Sequence, residues 1–225
     1  MRWFPRQQSG DIAAAMTTPG DSPAVRLAAF PCMQRVPSPR LELFICRNFL
    51  SAAECAELVR LIDAESRPST IADANGDNAF RTSETCDLDG ANPHVTSLAA
   101  RLAELSGIDP AFAEPMQGQR YSPGQEFKAH TDYFEPGGTD YATYCSIAGQ
   151  RTWTIMLYLN AVEAGGTTRF RNIDKIVQPE MGKLLAWNNR LPGGGVNPAT
   201  LHHGMKVRKG MKYVITQWYR ERPWG

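Results

Sequence analysis

Apolar and polar positions divide the chain into two halves of different character. Two stretches before residue 110 carry apolar residues at the three- and four-residue spacing of amphipathic helices. From Met116 onward, short alternating or continuous apolar runs are separated by turn signals such as Pro123-Gly124 and Lys209-Gly210. This change predicts helices in the first half and many short strands in the second.

Both predicted helices have recognisable ends. Ser51 and Glu54 form a capping box at the start of the first helix. The second spans about 93–106, with Pro93 suited to its first turn and Gly107 to its C-terminal end. Their apolar faces comprise Leu58, Val59 and Ile62 in the first helix and Val95, Leu98, Leu102 and Leu105 in the second.

Strands are predicted before, and mainly after, these helices. The predicted strands are 41–46, 119–121, 127–132, 152–159, 167–170, 183–187 and 211–218. Many short strands with regular turns are typical of a sandwich or barrel. We therefore expect one domain over 29–225, with helical support at 48–110 and a β core at 115–222.

Two segments show no such pattern. Residues 1–28 are rich in Gly, Pro, Ser and Asp and lack sustained periodicity, which predicts a flexible leader. Residues 67–78 are rich in turn-forming residues, which predicts a loop.

Composition narrows the function classes. The 225 residues are 42% hydrophobic and carry a net charge of +1, so neither a nucleic-acid footprint nor an anionic-membrane surface is indicated. The apolar run 153–159 is too short to span a bilayer.

The cysteines and the chain start both favour a cytoplasmic protein. The first residues lack the apolar stretch of a secretory signal. The five cysteines are scattered, with no Cys-x-x-Cys pair, which favours reduced thiols over a disulfide framework and argues against a cysteine zinc site. They are Cys32, Cys46, Cys55, Cys86 and Cys145.

The candidate chemistry starts at His130 and Asp132. Side chains two apart on a strand point to the same face, so this pair could chelate an ion. Alone, the pair is a weak signal, and a polar strand end is the ordinary alternative. A second histidine would complete the set of two histidines and one carboxylate that binds Fe(II) in non-heme oxygenases. His202 and His203 both qualify, and since adjacent strand residues face opposite ways, only one should point inward.

Lys212 adds a positive charge to an apolar strand. In the strand predicted over 211–218 it shares a face with Val214, Thr216 and Trp218. Burying a lysine is costly unless it is paired. Lys212 therefore either extends to solvent at a sheet edge or awaits an anionic ligand, as an acidic co-substrate would be.

Several segments resemble the prolyl 4-hydroxylases, which belong to the iron- and 2-oxoglutarate-dependent dioxygenases. They are RYSPGQEFKAHTDY at 120–133, GQRTWTIMLYLN at 149–160, GGTTRF at 165–170, LHHGMKVRKGMK at 201–212, and RTS at 81–83. The resemblance covers about residues 38–222. Two positions depart from the family pattern: Thr167 replaces the glutamate of the usual Gly-Gly-Glu-Thr, and Lys206 replaces a proline after the distal histidine.

The resemblance implies a fold and a ligand set. The fold would be mainly β with flanking helices (α+β), a double-stranded β-helix or jelly roll of the cupin-like kind. The iron ligands would be His130, Asp132 and His202, because the family register of the distal histidine prefers His202. Lys212 would bind the distal carboxylate of 2-oxoglutarate, and Tyr121 would hydrogen-bond the same end.

The resemblance also implies the reaction and its substrate. With Fe(II), 2-oxoglutarate and O2, and L-ascorbate as an expected reductant, the protein would hydroxylate a prolyl residue of a peptide or protein and release succinate and CO2. A free amino acid or another small molecule is the alternative substrate. A catalytically silent jelly-roll metal-binding module and a zinc hydrolase are the other classes, and neither accounts for Lys212.

The sequence identifies the substrate-binding residues less clearly than the metal ligands. The candidates are Arg81, Tyr133 and Trp218. Arg81 could equally pair with a nearby acid, and Trp218 could be a core aromatic, as could Trp153 and Trp187. The aromatic residues after Asp132 could form a lid over a peptide or simply cover the barrel end; they are Tyr133, Phe134, Tyr141 and Tyr144.

Overall fold

The computed structural model describes residues 20–69 and 80–225. The α-helices in this part of the chain are α1 (Pro23–Ala29), α2 (Ala52–Glu65), α3 (Pro93–Ser106) and α4 (Thr139–Cys145). The strands are β1 (Met33–Arg35), β2 (Leu43–Cys46), β3 (Arg67–Pro68), β4 (Glu84–Asp87), β5 (Gln117–Tyr121), β6 (Phe127–His130), β7 (Arg151–Tyr158), β8 (Ala164–Gly165), β9 (Thr168–Phe170), β10 (Lys175–Val177), β11 (Leu184–Asn188), β12 (His202–Gly204), β13 (Val207–Lys209) and β14 (Lys212–Arg220).

The strands form two main sheets. The larger has the order β1-β2-β11-β7-β14-β5-β4-β3, and the smaller has the order β10-β9-β12-β6. Several neighbouring strands are distant in sequence, such as β2 beside β11 and β6 beside β12, so the chain crosses repeatedly from one sheet to the other. Residues of both sheets share one buried cluster, for example Phe170 of β9 with Trp187 of β11. This is the expected mainly β fold with flanking helices, a double-stranded β-helix.

The larger sheet is buried on both faces. In β7, Ile155 and Leu157 pack in the cluster that contains the apolar faces of α2 and α3. Met156 and Tyr158 point the other way, into the cluster between the sheets. This burial explains why β7 is a continuous apolar run rather than an alternating one.

The two helices predicted from their ends are confirmed. The Ser51 backbone N–H donates to Glu54 Oε2 at 2.8 Å, and the Glu54 N–H donates to Ser51 Oγ at 3.3 Å, which completes the capping box. Gly107 ends α3 with φ of 69°, a left-handed conformation that glycine adopts without strain. The apolar faces of both helices are buried except for Val59, which is partly buried.

The predicted leader is too long. Residues 1–19 lie outside the described residues, but Pro23–Ala29 forms α1, with Ser22 as its N-cap. Leu27 is fully buried in the main core, and Arg26 Nη2 donates to the Glu104 carbonyl of α3 at 3.0 Å. Seven residues with one buried leucine give no helical periodicity to detect, so only packing reveals this helix.

Other elements differ from the predicted pattern for similar reasons. Several short elements lie where the sequence predicted a loop or no helix or strand. They are α4, β8, β10, β12 and β13. Strands β3 and β4 fall within the region predicted as helical support and extend the larger sheet. β3 occupies the start of the predicted loop 67–78, of which residues 70–78 lie outside the described part. Strands of two to four residues are held by pairing with neighbours and carry little pattern of their own.

The expectation of reduced thiols is wrong for one pair. Cys32 and Cys46 form a disulfide with a Cα–Cα distance of 5.1 Å. Cys32 precedes β1, and the β1–β2 register places Met33 opposite Cys46. The antiparallel pairing therefore brings the two sulfur atoms together. The number and spacing of the cysteines in the sequence did not reveal this contact. Cys55, Cys86 and Cys145 are buried and free.

The disulfide also bears on location. Stable disulfides are typical of oxidising compartments. The cytoplasmic location therefore stays a prediction and loses the support that it drew from reduced thiols. Among the described residues, the helices are all shorter and less apolar than a membrane span requires.

We expect Cys32→Ser to lower the free energy of unfolding by about 3 kcal/mol, because a 14-residue separation no longer constrains the unfolded chain. Urea unfolding measures this difference. Cys32 is the better site for the substitution, since Cys46 is fully buried and its replacement would also disturb the core.

Addition of reductant supplies the control. The unmodified protein should fall to the stability of the variant, and the variant should not change. Alkylation of the unfolded, unreduced protein should label three cysteines; labelling of all five would show that the bridge does not form.

Candidate metal centre

Two strands of the smaller sheet bring the candidate ligands together. The antiparallel pairing of β12 with β6 places His202 directly opposite His130. Asp132 follows two residues later, just beyond the end of β6, which stops at His130. One nitrogen from each histidine and one carboxylate oxygen all lie within 4.8 Å of one another. The three predicted ligands thus meet at one point.

Backbone carbonyls fix the orientation of both imidazoles. His130 Nδ1 lies 2.7 Å from the Lys128 carbonyl, and His202 Nδ1 lies 2.9 Å from the Thr200 carbonyl. A carbonyl can only accept, so each Nδ1 carries the proton. Both Nε2 atoms are therefore free to bind an ion, as in other histidine metal sites.

The protonation state of His130 suits a metal. Burial, together with the neighbouring His202, lowers the pKa of His130 well below its usual value. The ring is therefore neutral at pH 7, which is the form that binds a metal ion. Two imidazoles and a carboxylate fit Fe(II) by donor type, and the cavity beside them leaves the remaining positions open.

The two oxygens of Asp132 have different neighbours. Oδ1 lies 3.8 Å from His130 Nε2, on the side of the histidine pair. Oδ2 accepts a hydrogen bond from Thr154 Oγ1 at 2.7 Å. The carboxylate is buried, so one oxygen is engaged by the protein and the other faces the candidate ion position.

The choice between His202 and His203, which the local sequence left open, is made by the fold. His203 Nε2 lies 2.9 Å from Glu126 Oε2, and Glu126 Oε1 lies 3.4 Å from Lys206 Nζ. His203 thus contacts Glu126 in a cluster of polar side chains and lies outside the group of candidate metal-binding atoms. Lys206, which departs from the family pattern, belongs to this cluster.

Lys212 is buried beside the same cavity. Its side chain is 2% exposed, which excludes the alternative of a lysine reaching solvent at a sheet edge. Nζ lies 5.0 Å from the ring centre of Tyr121 and 5.5 Å from that of Tyr158. Burial alone lowers the pKa of Lys212 to about 7, and no carboxylate among the described residues offsets that effect.

The walls of the cavity come from both sheets. Tyr121 lies opposite Lys212 in the β5–β14 register, and its hydroxyl donates to Gln119 Oε1 at 2.7 Å. The predicted inward face of β14 is the observed one. The cavity is lined by His130, Asp132, His202, Lys212, Tyr121, Gln119, Met156, Thr168, Trp187, Val214, Thr216 and Trp218, among others.

Some of these wall residues were not singled out from the sequence. Gln119 lies two residues before Tyr121 and Thr168 two before Phe170, so strand alternation could have placed them on the inward face. Thr154 contacts the candidate ligand Asp132, and Glu126 contacts His203, which is next to the candidate ligand His202. Both contacts depend on the pairing of distant strands. No local signal marks them.

Trp218 and Tyr133 occupy different places. Trp218 lines the cavity, and the guanidinium of Arg151 lies 4.0 Å from its ring centre on another side. Trp187 also lines the cavity, whereas Trp153 packs in the core under the helices. Tyr133 is buried and directly follows Asp132.

The other aromatic residues of this loop lie further out. Phe134 stacks on Tyr144 with ring centres 5.1 Å apart. Tyr141 and Tyr144 lie on α4 and are exposed.

Arg81 lies next to residues of the cavity wall. Its Nη2 donates to Gln117 Oε1 at 2.8 Å, and Nε donates to Ser83 Oγ at 3.2 Å. Its guanidinium is 4.9 Å from the ring centre of Phe127, which stacks on His130 at 3.5 Å. The hydrogen-bond partners of Arg81 in the described chain are therefore neutral, and the predicted pairing with an acid is not seen there.

Comparison with known proteins identifies relatives of this arrangement. The sequence model of the 2OG-Fe(II) oxygenase superfamily matches residues 116–220. Probable prolyl 4-hydroxylase 10 of Arabidopsis thaliana is 30% identical over 81% of this chain and 69% of that protein.

Solved structures of prolyl hydroxylases are also similar to this chain. The 2OG complex of the viral collagen prolyl hydroxylase from Paramecium Bursaria Chlorella virus-1 is 26% identical and aligns with a TM-score of 0.61 over 79% of this chain and 95% of that one. A Trichoplax adhaerens prolyl hydroxylase in complex with a hypoxia inducible factor peptide shares the fold, with 18% identity and a TM-score of 0.60 over 80% of this chain and 83% of that one.

We expect His202→Ala to weaken Mn(II) binding by more than the roughly 10- to 100-fold typical of residues that only support a ligand. His203→Ala should bind Mn(II) nearly as the unmodified protein does, because its imidazole faces Glu126. Electron paramagnetic resonance of free Mn(II) measures both affinities. The opposite ranking would transfer the ligand role to His203.

The low pKa of Lys212 predicts a pH-dependent affinity for 2-oxoglutarate. Only the ammonium form attracts the dianion, and above a pKa of about 7 its fraction falls about tenfold per pH unit. The dissociation constant of 2-oxoglutarate should therefore rise between pH 7 and pH 9. Calorimetric titration with Mn(II) in place of iron measures it.

Lys212→Arg is the matched variant, since a guanidinium remains charged throughout this range. Its affinity for 2-oxoglutarate should be nearly independent of pH, whatever its absolute value. A flat profile in the unmodified protein would contradict the titration of Lys212 in this range, and an unchanged affinity in Lys212→Ala would show that Lys212 does not bind the dianion.

Proposed function

Because the chain belongs to the prolyl 4-hydroxylase family of 2OG-Fe(II) oxygenases, we propose that it hydroxylates a prolyl residue of a peptide or protein. The protein is an Fe(II)- and 2-oxoglutarate-dependent dioxygenase. One molecule of 2-oxoglutarate is therefore converted to succinate and CO2 as one substrate C–H becomes C–OH with oxygen from O2. The prolyl acceptor is supported by the relatives, which include a viral collagen prolyl hydroxylase and a probable plant prolyl 4-hydroxylase.

The observation that carries the proposal is that the three metal-binding side chains and Lys212 line one cavity. Lys212 is a buried ammonium group that forms no ion pair with a carboxylate of the described residues, so it favours an anionic ligand. A dicarboxylate could reach the ion with one end and Lys212 with the other. A zinc hydrolase would use the three metal-binding side chains, but it would not account for the buried Lys212. A silent metal-binding module would leave the cost of burying Lys212 uncompensated.

The three candidate ligands would hold Fe(II) from one side. His130 and His202 would bind it through Nε2, and Asp132 through the oxygen that Thr154 does not engage. When bound, the iron supplies the activation of dioxygen and the oxidation of the C–H bond. The chain itself supplies position, charge and exclusion of water.

Lys212 and Tyr121 would bind the distal carboxylate of 2-oxoglutarate. The ammonium would donate a charge-assisted hydrogen bond, which is stronger in a dry cavity than in water. Tyr121 pairs with Lys212 on the neighbouring strand, and its hydroxyl, which donates to Gln119, would turn toward the same carboxylate. Removal of the Lys212 bond should cost about 1.5–3 kcal/mol of binding.

On the substrate side, Trp218 is the best-placed of the three candidates. It lines the cavity with the candidate ligands, so an acceptor that reaches the iron would pass it. Arg81 lies against Phe127 of the cavity wall, and Tyr133 is buried next to Asp132. We assign substrate contact to Trp218 and keep Arg81 as a second candidate.

The decisive measurement is mass spectrometry of proline-containing peptides after incubation with Fe(II), 2-oxoglutarate and O2. We expect a product heavier by one oxygen atom, with an equal amount of succinate. We expect L-ascorbate to sustain turnover, so each reaction is run with and without it. Free proline and other free amino acids serve as parallel substrates.

Asp132→Ala is the inactive control, because it removes the carboxylate ligand. Succinate release without any heavier product would establish the dioxygenase chemistry and refute the tested acceptors. Hydroxylation of a free amino acid but of no peptide would replace the peptide proposal. Full turnover by Asp132→Ala would remove the assigned ligand set.

A further inference from the structure

The carboxylate of Asp132 is held by a chain of two hydrogen bonds that starts outside the cavity. Thr154 Oγ1 donates to Asp132 Oδ2 at 2.7 Å. Asn189 Nδ2 in turn donates to Thr154 Oγ1 at 2.9 Å. Thr154 and Asn189 are both fully buried, so water does not compete for these groups.

The direction of each bond is fixed by chemistry. A carboxylate oxygen accepts, so the single hydroxyl proton of Thr154 must point to Asp132. The Thr154 oxygen then has only acceptor capacity left, and its second neighbour must donate. Asn189 therefore presents its NH2 group to Thr154 rather than its carbonyl oxygen.

This orientation of the Asn189 amide leaves its carbonyl oxygen unpaired within the described chain. Asn189 Oδ1 is buried and receives no hydrogen bond from the described residues. A buried acceptor left unpaired is unfavourable. An apolar residue here would avoid that cost, so the amide is best explained by the bond that its NH2 group gives to Thr154.

The backbone holds both residues in place. Thr154 lies in β7, opposite Trp187 of β11, and Asn189 directly follows β11. The Asn189 backbone N–H donates to the Thr152 carbonyl at 2.8 Å, and its carbonyl accepts from the Asn197 N–H at 2.9 Å. The larger sheet therefore supplies a rigid support for a ligand that belongs to the opposite sheet.

We propose that Thr154 and Asn189 are positioning residues that hold Asp132 as a one-oxygen ligand. Thr154 engages Oδ2 and leaves Oδ1, which lies near His130 Nε2, as the oxygen that faces the ion. A carboxylate that binds through one oxygen occupies one coordination position and leaves the others for the co-substrates. The inference rests on the metal centre proposed above and adds the residues that set its geometry.

Thr154→Val tests the proposal, because valine keeps the shape of threonine and lacks the hydroxyl. We expect the Mn(II) dissociation constant of the protein to rise about 10- to 100-fold. Thr154→Ser, which keeps the hydroxyl, should bind Mn(II) close to the unmodified protein. Asn189→Leu should weaken binding in the same direction by a smaller factor.

Thr152→Val is the matched control. Thr152 lies two residues earlier in β7, and its hydroxyl donates to the Tyr219 carbonyl rather than to Asp132. This variant should bind Mn(II) as the unmodified protein does. Thermal unfolding of each metal-free variant shows whether a loss of affinity reflects a loss of folding.

Unchanged Mn(II) affinity in Thr154→Val overturns the proposal, as does an equal loss in Thr154→Val and Thr154→Ser, which would indicate packing alone. If Thr154→Val does not fold, Asn189→Leu decides, and unchanged affinity there has the same consequence. An unmodified protein that binds no Mn(II) refutes the metal centre itself. That outcome is distinct from a bound ion that does not respond to Thr154.

Discussion

The antiparallel pairing of β12 with β6 is the constraint on which the site depends. It sets His202 opposite His130 and leaves Asp132 at the end of the strand, so that three side chains 72 residues apart at their extremes meet within 4.8 Å. Backbone carbonyls then fix both rings with their Nε2 atoms free. A shift of one residue in this register would send His203 inward and His202 outward.

Charge explains why the cavity is suited to binding an ion and an anion together. Burial keeps His130 neutral and lowers the pKa of Lys212 to about 7. The buried Asp132 accepts a hydrogen bond from the Thr154 hydroxyl, and Lys212 Nζ lies 5.0 Å from the ring centre of Tyr121 and 5.5 Å from that of Tyr158. A cation at the triad and a dianion between it and Lys212 would compensate both groups at once.

The larger sheet supports this site from behind with buried polar groups. Arg151 forms two hydrogen bonds to the Glu114 carboxylate, at 2.6 and 2.7 Å, and a weaker one to the Asp132 carbonyl at 3.3 Å. Its guanidinium also stacks on Trp218 in the cavity wall. Thr154 holds the Asp132 side chain from the same strand, β7. One strand thus contacts both the backbone and the carboxylate of a ligand that lies in the other sheet.

The sequence by itself determined the parts that rest on local periodicity and chemistry. These are the capped helices α2 and α3, the apolar strands β7 and β14, the inward face of β14, and the residue types of the metal set. It did not reveal α1, whose one buried leucine makes no pattern, or the Cys32–Cys46 bridge, which depends on the register of β1 against β2. Tertiary structure placed His202 rather than His203 beside His130 and Asp132, in agreement with the family register, and it brought Thr154 and Asn189 to Asp132. The reason is physical: periodicity reports which face of an element is buried, whereas contacts between distant strands depend on register and crossover, which no local pattern encodes.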